Sequence, residues 1–144
     1  MVNLTNQVSD VGHIRVADCM HHGIFSCAGD APLARVATIM SEQQVHAVVV
    51  TNSDGGRPVG VVSDLGVVAA AAAGSDPSAL QAATEPLTVS AGESLHRAAQ
   101  LMSEHGVAHL IVVDAAGGYP VGVLSTLDIV AVYAGATSSG STVR

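Results

Sequence analysis

Pro120-Val121-Gly122-Val123-Leu124-Ser125-Thr126-Leu127-Asp128 restates, 62 residues on, the stretch Pro58-Val59-Gly60-Val61-Val62-Ser63-Asp64-Leu65-Gly66. The same offset holds outward in both directions. Leu33, Arg35, Ala37, Met40, Ser41, Glu42, Val45 and Val50 recur as Leu95, Arg97, Ala99, Met102, Ser103, Glu104, Val107 and Val112. Gly55 and Gly56 recur as Gly117 and Gly118, and Val68 and Ala69 as Val130 and Ala131. In all, 18 of the 37 positions from 33 to 69 are identical, with no gap. Six of the other 19 exchange one apolar residue for another, as Val49 and Ile111 do. The chain is one unit written twice, and a duplication of this kind constrains the fold before any local reading does. Residues 1–15 read as a leader, 16–74 as the first unit, 75–135 as the second, and 136–144 as a polar tail expected to be disordered.

Each unit has the same internal order. A short extended piece opens it, Ile24–Cys27 or Pro86–Val89. A helix follows, because Leu33, Val36, Ala37 and Met40, like Leu95, Ala98, Ala99 and Met102, stand at i, i+3, i+4, i+7. Ser90 with Glu93 has the spacing of a capping box for the second of these helices, and Asp30 with Pro32 can begin the first. Two strands come next, Val45–Thr51 with Pro58–Ser63 and Val107–Asp114 with Pro120–Ser125. Their continuous Val/Ile/Leu runs predict burial on both faces. Gly55-Gly56 and Gly117-Gly118 mark the hairpins. A second helix then runs from Asp64 to about Ala73, and from Thr126 to about Ala134. The order is β-α-β-β-α, twice. One unit is too small to bury its own sheet, so an α/β (α+β) fold of two units related by a pseudo-two-fold axis is expected, each sheet covering the other.

Composition removes several function classes. The 144 residues are 49% hydrophobic and 12% charged, with a mean hydropathy of +0.46, so the chain is not of the disordered class. The longest uncharged apolar run, Leu65 to Gly74, is about half of the roughly 20 residues a membrane span needs. No basic segment followed by an apolar stretch opens the sequence, so a soluble cytoplasmic protein is expected. Five arginines and no lysine stand against twelve acids, a net charge of −7, which argues against nucleic acid and anionic lipid as partners. Aromatic residues are 2%, too few for a base-stacking platform. No Gly-x-Ser-x-Gly elbow is present, and an enzyme is not expected. Cys19, His21, His22 and Cys27 gather soft ligands, but their spacing fits no common zinc pattern. They read as a plain loop, with Cys27 in the core and no metal.

Val16-Ala17-Asp18-Cys19-Met20 before the first strand, Leu110-Ile111-Val112-Val113-Asp114 in the middle strand, and Gly122-x-x-Ser125-x-x-Asp128 at the last strand-to-helix turn resemble the tandem cystathionine β-synthase (CBS) domain pair, the Bateman module. The resemblance covers about residues 15–135. It implies a regulatory module without chemistry of its own, commonly a homodimer, which binds an adenosine-containing ligand: AMP, ADP, ATP or S-adenosylmethionine. Carried over by position, the ligand site joins Ser125 and Asp128 to Ile24, Phe25, Val45, His46 and Ala47. Ile24 and Val45 would sandwich the base, and backbone groups of Phe25 and Ala47 would read its edge. His109 stands where many members place a basic residue that reaches the phosphate. Ala69–Ala73 reads as a small-residue face for close helix packing between two copies.

The chemistry of Ser125 and Asp128 admits two roles. A strand ending in Ser and opening a helix presents free N–H groups and a favourable dipole to an anion, and a carboxylate one turn in can accept ribose hydroxyls. Ser-x-x-Asp is equally a helix cap, in a ligand-free dimerisation or interaction scaffold. In the first unit Gly66 replaces the acid and Asp64 brings negative charge to the helix start. That half is expected to be a degraded site, leaving at most one ligand per chain. A histidine at position 109 is partly neutral at pH 7, which predicts modest, pH-dependent affinity for phosphate.

Overall fold

The computed structural model describes residues 13–53 and 56–135. The start of the leader and the polar tail lie outside the described residues, as does Gly55 of the first hairpin. In chain order the elements are α1 (Val16–Cys19), β1 (His21–His22), β2 (Ser26–Ala28), α2 (Leu33–Gln43), β3 (Ala47–Thr51), β4 (Pro58–Ser63), α3 (Asp64–Ala73), α4 (Ala79–Ala82), β5 (Thr88–Ser90), α5 (Leu95–His105), β6 (His109–Val113), β7 (Pro120–Ser125) and α6 (Thr126–Tyr133). The predicted long helices and hairpins are all present. Strand pairing starts about two residues later than the apolar runs suggest, so Ile24, Phe25, Val45 and His46 precede their strands.

The strands form two mixed sheets, β2-β3-β4 and β1-β7-β6-β5. In each, the opening strand runs parallel to the middle one and the hairpin is antiparallel. Helices cover one face of each sheet. Leu33, Val36 and Met40 of α2 pack with Val48, Val50, Val62 and Ala70 in one core. Leu95, Ala98 and Met102 of α5 pack with Leu110, Val112, Leu124 and Val132 in the other. Leu95, Leu110 and Leu124 are fully buried, and each contributes about 1.5–3 kcal/mol by leaving water. Side chains alternate across a strand. Ala47, Val49 and Ile111 are also buried but belong to neither core, which assigns them to the sheet faces turned away from the helices. Burial on both faces holds for β3 and β6. It fails for β4, the edge strand, where Val59 is exposed.

The capping expectations need correction. Ser94, not Ser90, caps α5, its Oγ accepting the Arg97 N–H at 3.1 Å. Ser90 ends β5, and its carbonyl accepts the Glu93 N–H at 3.0 Å in the turn that follows. A turn tight enough to reverse the chain there leaves the cap to the next Ser. Pro32 is itself the N-cap of α2, without a side-chain cap bond, and Asp30 is not in the cap.

The two units exchange their opening segments. Val16 of α1 lies in the core of the second sheet, where its N–H donates to Glu93 O at 2.9 Å, and β1 pairs with β7. Ala79 of α4 lies in the core of the first sheet, where its N–H donates to Ala31 O at 2.8 Å, and Thr84 bridges Val61. The chain crosses from one sheet to the other between Gly23 and Ser26, and back between Thr84 and Thr88. Each core is thus completed by the other unit's opening segment. Among the described residues no buried side-chain polar atom lacks a hydrogen-bond partner.

Candidate functional site

β7 delivers the chain to α6 at Ser125, whose backbone is extended (φ −106°, ψ 162°), and the first helical N–H, that of Thr126, donates to Ala108 O at 3.0 Å. Ser125 Oγ accepts the Asp128 N–H at 3.3 Å. In return, Asp128 Oδ2 accepts the Ser125 N–H at 2.8 Å and the Ser125 hydroxyl at 3.0 Å. The reciprocal cap is complete, and Asp128 is the one buried charged residue among those described. Its other oxygen, Oδ1, lies 3.2 Å from His21 Nε2 on β1. The Asp128 side chain is 1% exposed and that of His21 is 55% exposed. The acid is therefore held by its own helix and covered by a residue from the other end of the chain.

The pseudo-equivalent end of the first sheet is built differently. Ser63 Oγ caps α3 through the Gly66 N–H at 3.2 Å, with no carboxylate at Gly66. A Cβ there would meet Ala82 O at 3.6 Å, so the missing acid is not excluded by space. By the 62-residue offset Ala83 stands where His21 stands. The junction without the acid also lacks the histidine. Asp64 instead pairs with His46, Nδ1 to Oδ2 at 3.0 Å, and that hydrogen bond holds the Asp64 carboxyl below its ordinary range.

His109 opens β6 opposite Ser125 and is half-buried. Burial pushes its imidazole below the ordinary histidine value, with His46 adding to the shift and Asp64 and Asp128 opposing it. The same couplings tie the start of β6 electrostatically to His46 and Asp64 of the first unit. Between its folded value and about 6.5, the unfolded chain binds more protons at this position, so stability rises with pH across that window and is lost on acidification. His109→Gln is expected to flatten the urea midpoint between pH 5 and 7. An unchanged slope would assign the acid sensitivity to other groups.

The structure gathers Ser125, Asp128 and His109. Val45 and His46 instead line a groove of about 370 Å³ between α2 and α3, with Ala37, Met40 and Val67. A matching groove of about 340 Å³ lies between α5 and α6, lined by Ala99, Met102, Val107 and Ile129 among others. Neither groove is lined by Ser125, Asp128, Ile24, Phe25 or Ala47. Ala47 is buried and pairs with Ser63. Phe25 is 41% exposed, and its carbonyl already accepts the Val49 N–H at 2.9 Å. His21 was legible only as a soft metal ligand. The signal that could have found it is the joint loss of His21 and Asp128 at their repeat positions. The metal cluster itself is dispersed, with Cys27 in one core and Cys19 against the other. Burial raises both thiols, which works against thiolate ligation. Among the described residues no group of three or more His, Cys, Asp or Glu is placed to hold a metal ion. Nor is any helix among them long and apolar enough to cross a membrane.

Fold and site define a tandem α/β module in which His21 of the first unit meets the acid-capped helix α6 of the second. The chain belongs to the CBS domain family, whose model matches residues 16–73 and 79–135. It is similar to a CBS domain protein of Pyrobaculum aerophilum complexed with AMP, at 34% identity, 80% of this chain, 89% of that one, and a TM-score of 0.75. A CBS domain pair in complex with 5′-methylthioadenosine and S-adenosyl-L-methionine matches in fold, at 18% identity, 86% and 98% coverage and a TM-score of 0.78. Hypoxic response protein I, with two coordinated zinc ions, matches at 26% identity, 81% and 97% coverage and a TM-score of 0.70. No curated protein matches the chain.

Proposed function

We propose that this protein is a non-catalytic sensor that binds one adenosine-containing ligand, AMP, ADP, ATP or S-adenosylmethionine, where its two units meet. The supporting observation is the likeness to the AMP-bound Pyrobaculum protein, which extends over most of both chains. The α6 cap supplies the local chemistry: Ser125 and the helix N-terminus for phosphate, and Asp128 for ribose. Ile24, Phe25, Val45, His46 and Ala47 are the proposed base-side residues, and His109 faces the phosphate. The first-unit position, with Gly66 and Ala83, is the degraded copy of the site, so the chain has at most one intact site. Units 16–74 and 75–135 act as two levers whose relative angle the ligand biases, shifting the population that a regulated partner recognises. Leu65, Val68, Leu127, Val130 and Tyr133 stand exposed on α3 and α6, which suits a homodimer packed through these helices.

The reading is checked by thermal unfolding with each of the four ligands. At ten times its dissociation constant a ligand adds about 1.4 kcal/mol, a rise of about 5 °C for a domain of this size. No rise with any of the four at millimolar concentration would remove the sensor reading. It would favour the second one, a ligand-free scaffold, for which the completed Ser125–Asp128 cap speaks directly.

A further inference from the structure

The hairpins of the two units lie together. The Arg57 guanidinium of the first stands over the Tyr119 ring of the second, 5.4 Å from its centre, and positions 57 and 119 are equivalent in the repeat. β4 and β7 run from these hairpins to Asp64 and Thr126, so the two strand-to-helix junctions share the opposite end of the module. The sheets adjoin on the way. The Gly23 N–H donates to Val121 O, and Phe25 O accepts the Val49 N–H, so two residues of chain, at most about 7 Å, cross between them.

Permanent positive charge gathers at the hairpin end. The chain has no lysine. Arg35 and Arg97 lie in the first turns of α2 and α5, which begin where the parallel strands β2 and β5 end, beside the hairpins. Arg15 bridges Ser94, the N-cap of α5. With Arg57 these are all the arginines among the described residues. The junction end carries Asp64 instead, with its side chain 56% exposed. The N–H groups that could answer a phosphate there are largely spent. Those of Asp64, Leu65 and Gly66 donate to His46 O at 3.0 Å, Asp64 Oδ1 at 2.8 Å and Ser63 Oγ at 3.2 Å. Those of Thr126 and Asp128 donate to Ala108 O at 3.0 Å and Ser125 Oγ at 3.3 Å. A helix start attracts anions through free N–H groups, and it loses that capacity once they are satisfied and a carboxylate joins them. His46 already pairs with Asp64, and burial pushes His109 toward its neutral form.

We infer that the site takes an adenosine whose 5′ substituent is neutral or cationic, as in S-adenosylmethionine, and that Asp64 is the residue that turns polyphosphates away. The inference rests on the adenosine reading above and narrows its ligands. Selectivity of this kind comes from a charge set against the wrong ligand as much as from contacts with the right one. Ser125 and His109 can still answer a single phosphate, so AMP falls between the extremes.

The test is isothermal titration of S-adenosylmethionine, neutral 5′-methylthioadenosine, AMP and ATP in magnesium-free buffer near neutral pH. Each is titrated into the wild-type protein, Asp64→Asn and Asp64→Thr, threonine being the residue at the equivalent position 126. Ligand-free melts verify folding. S-adenosylmethionine and methylthioadenosine are expected to bind the wild type at least about tenfold tighter than ATP. Loss of the Asp64 charge is expected to tighten ATP at least about threefold and to leave methylthioadenosine unchanged. ATP that binds the wild type as tightly as methylthioadenosine overturns the inference and leaves the sensor reading standing. A preference that persists undiminished in both variants overturns the assignment to Asp64. Absence of binding by all four ligands overturns the sensor reading and this inference with it.

Discussion

Gly122→Ala is expected to destabilise the protein by about 3 kcal/mol or more, read as a fall in the urea midpoint at constant slope. A Cβ on Gly122 would clash with the carbonyl oxygen of His21 and come within 2.9 Å of Met20 Sδ and 3.3 Å of Met20 Cγ. The methionine side chain can yield, but the carbonyl belongs to β1, which pairs with β7 at His22 and Gly122. Relief requires β1 to move off the sheet. That movement draws His21 away from Asp128 and strains the anchor of Val16, which is wholly buried in the second core. Three contributions are lost together because one backbone approach holds them. Gly60→Ala is the matched case in the other sheet, where the new methyl would meet Ala83 Cβ at 2.7 Å, and a loss is expected there too because that Cβ cannot move without its backbone. Gly92→Ala meets nothing within 4 Å and is expected to change stability by less than about 0.5 kcal/mol. If Gly122→Ala melted with the wild type, the exchange of opening segments would not be a feature of the protein in solution.

Asp128→Ala is expected to cost about 3 kcal/mol without ligand and to abolish the stabilisation by nucleotide. The alanine removes the acceptor for the half-buried Ser125 N–H and hydroxyl, and loss of bonds to a charged group costs about 1.5–3 kcal/mol. It also removes half of the reciprocal cap and the favourable charge in the first turn of α6. Asp128→Asn separates stability from binding, because an amide oxygen can still accept the Ser125 N–H while the negative charge is gone. A variant that kept both full stability and full nucleotide response would show that the acid serves neither the helix nor the ligand. Loss of stability with an unchanged response would confine it to the cap.

The legible part of this molecule was its local structure. Apolar residues at helical spacing located α2 and α5, and the Val/Ile/Leu runs located β3 and β6, because burial of one face leaves its period in the sequence. The caps of α2 and α5 were misplaced by a few residues, since Ser90, Glu93 and Ser94 all have cap-forming side chains and only the turn geometry selects among them. The four-residue helices α1 and α4 left no trace, being shorter than any period that could reveal them. In the candidate site, Ser125, Asp128 and the contrast with Gly66 were visible as a motif and its decay. The cover over Asp128 was not, because His21 and Asp128 stand at opposite ends of the chain and neither is marked by the other's neighbours.

The amino-acid sequence alone determined that two copies of one β-α-β-β-α unit exist, in what order their elements come, and that only the second copy carries an acid at the third position of its last helix. Tertiary structure decided which opening segment completes which sheet. The two sheets are near copies and offer α1 and α4 almost the same apolar surface, so local pattern cannot choose between them. The choice falls to the path of the connecting chain, which sends Val16 and His21 to the second sheet and Ala79 to the first, and it is this crossing that sets an imidazole over the buried carboxylate.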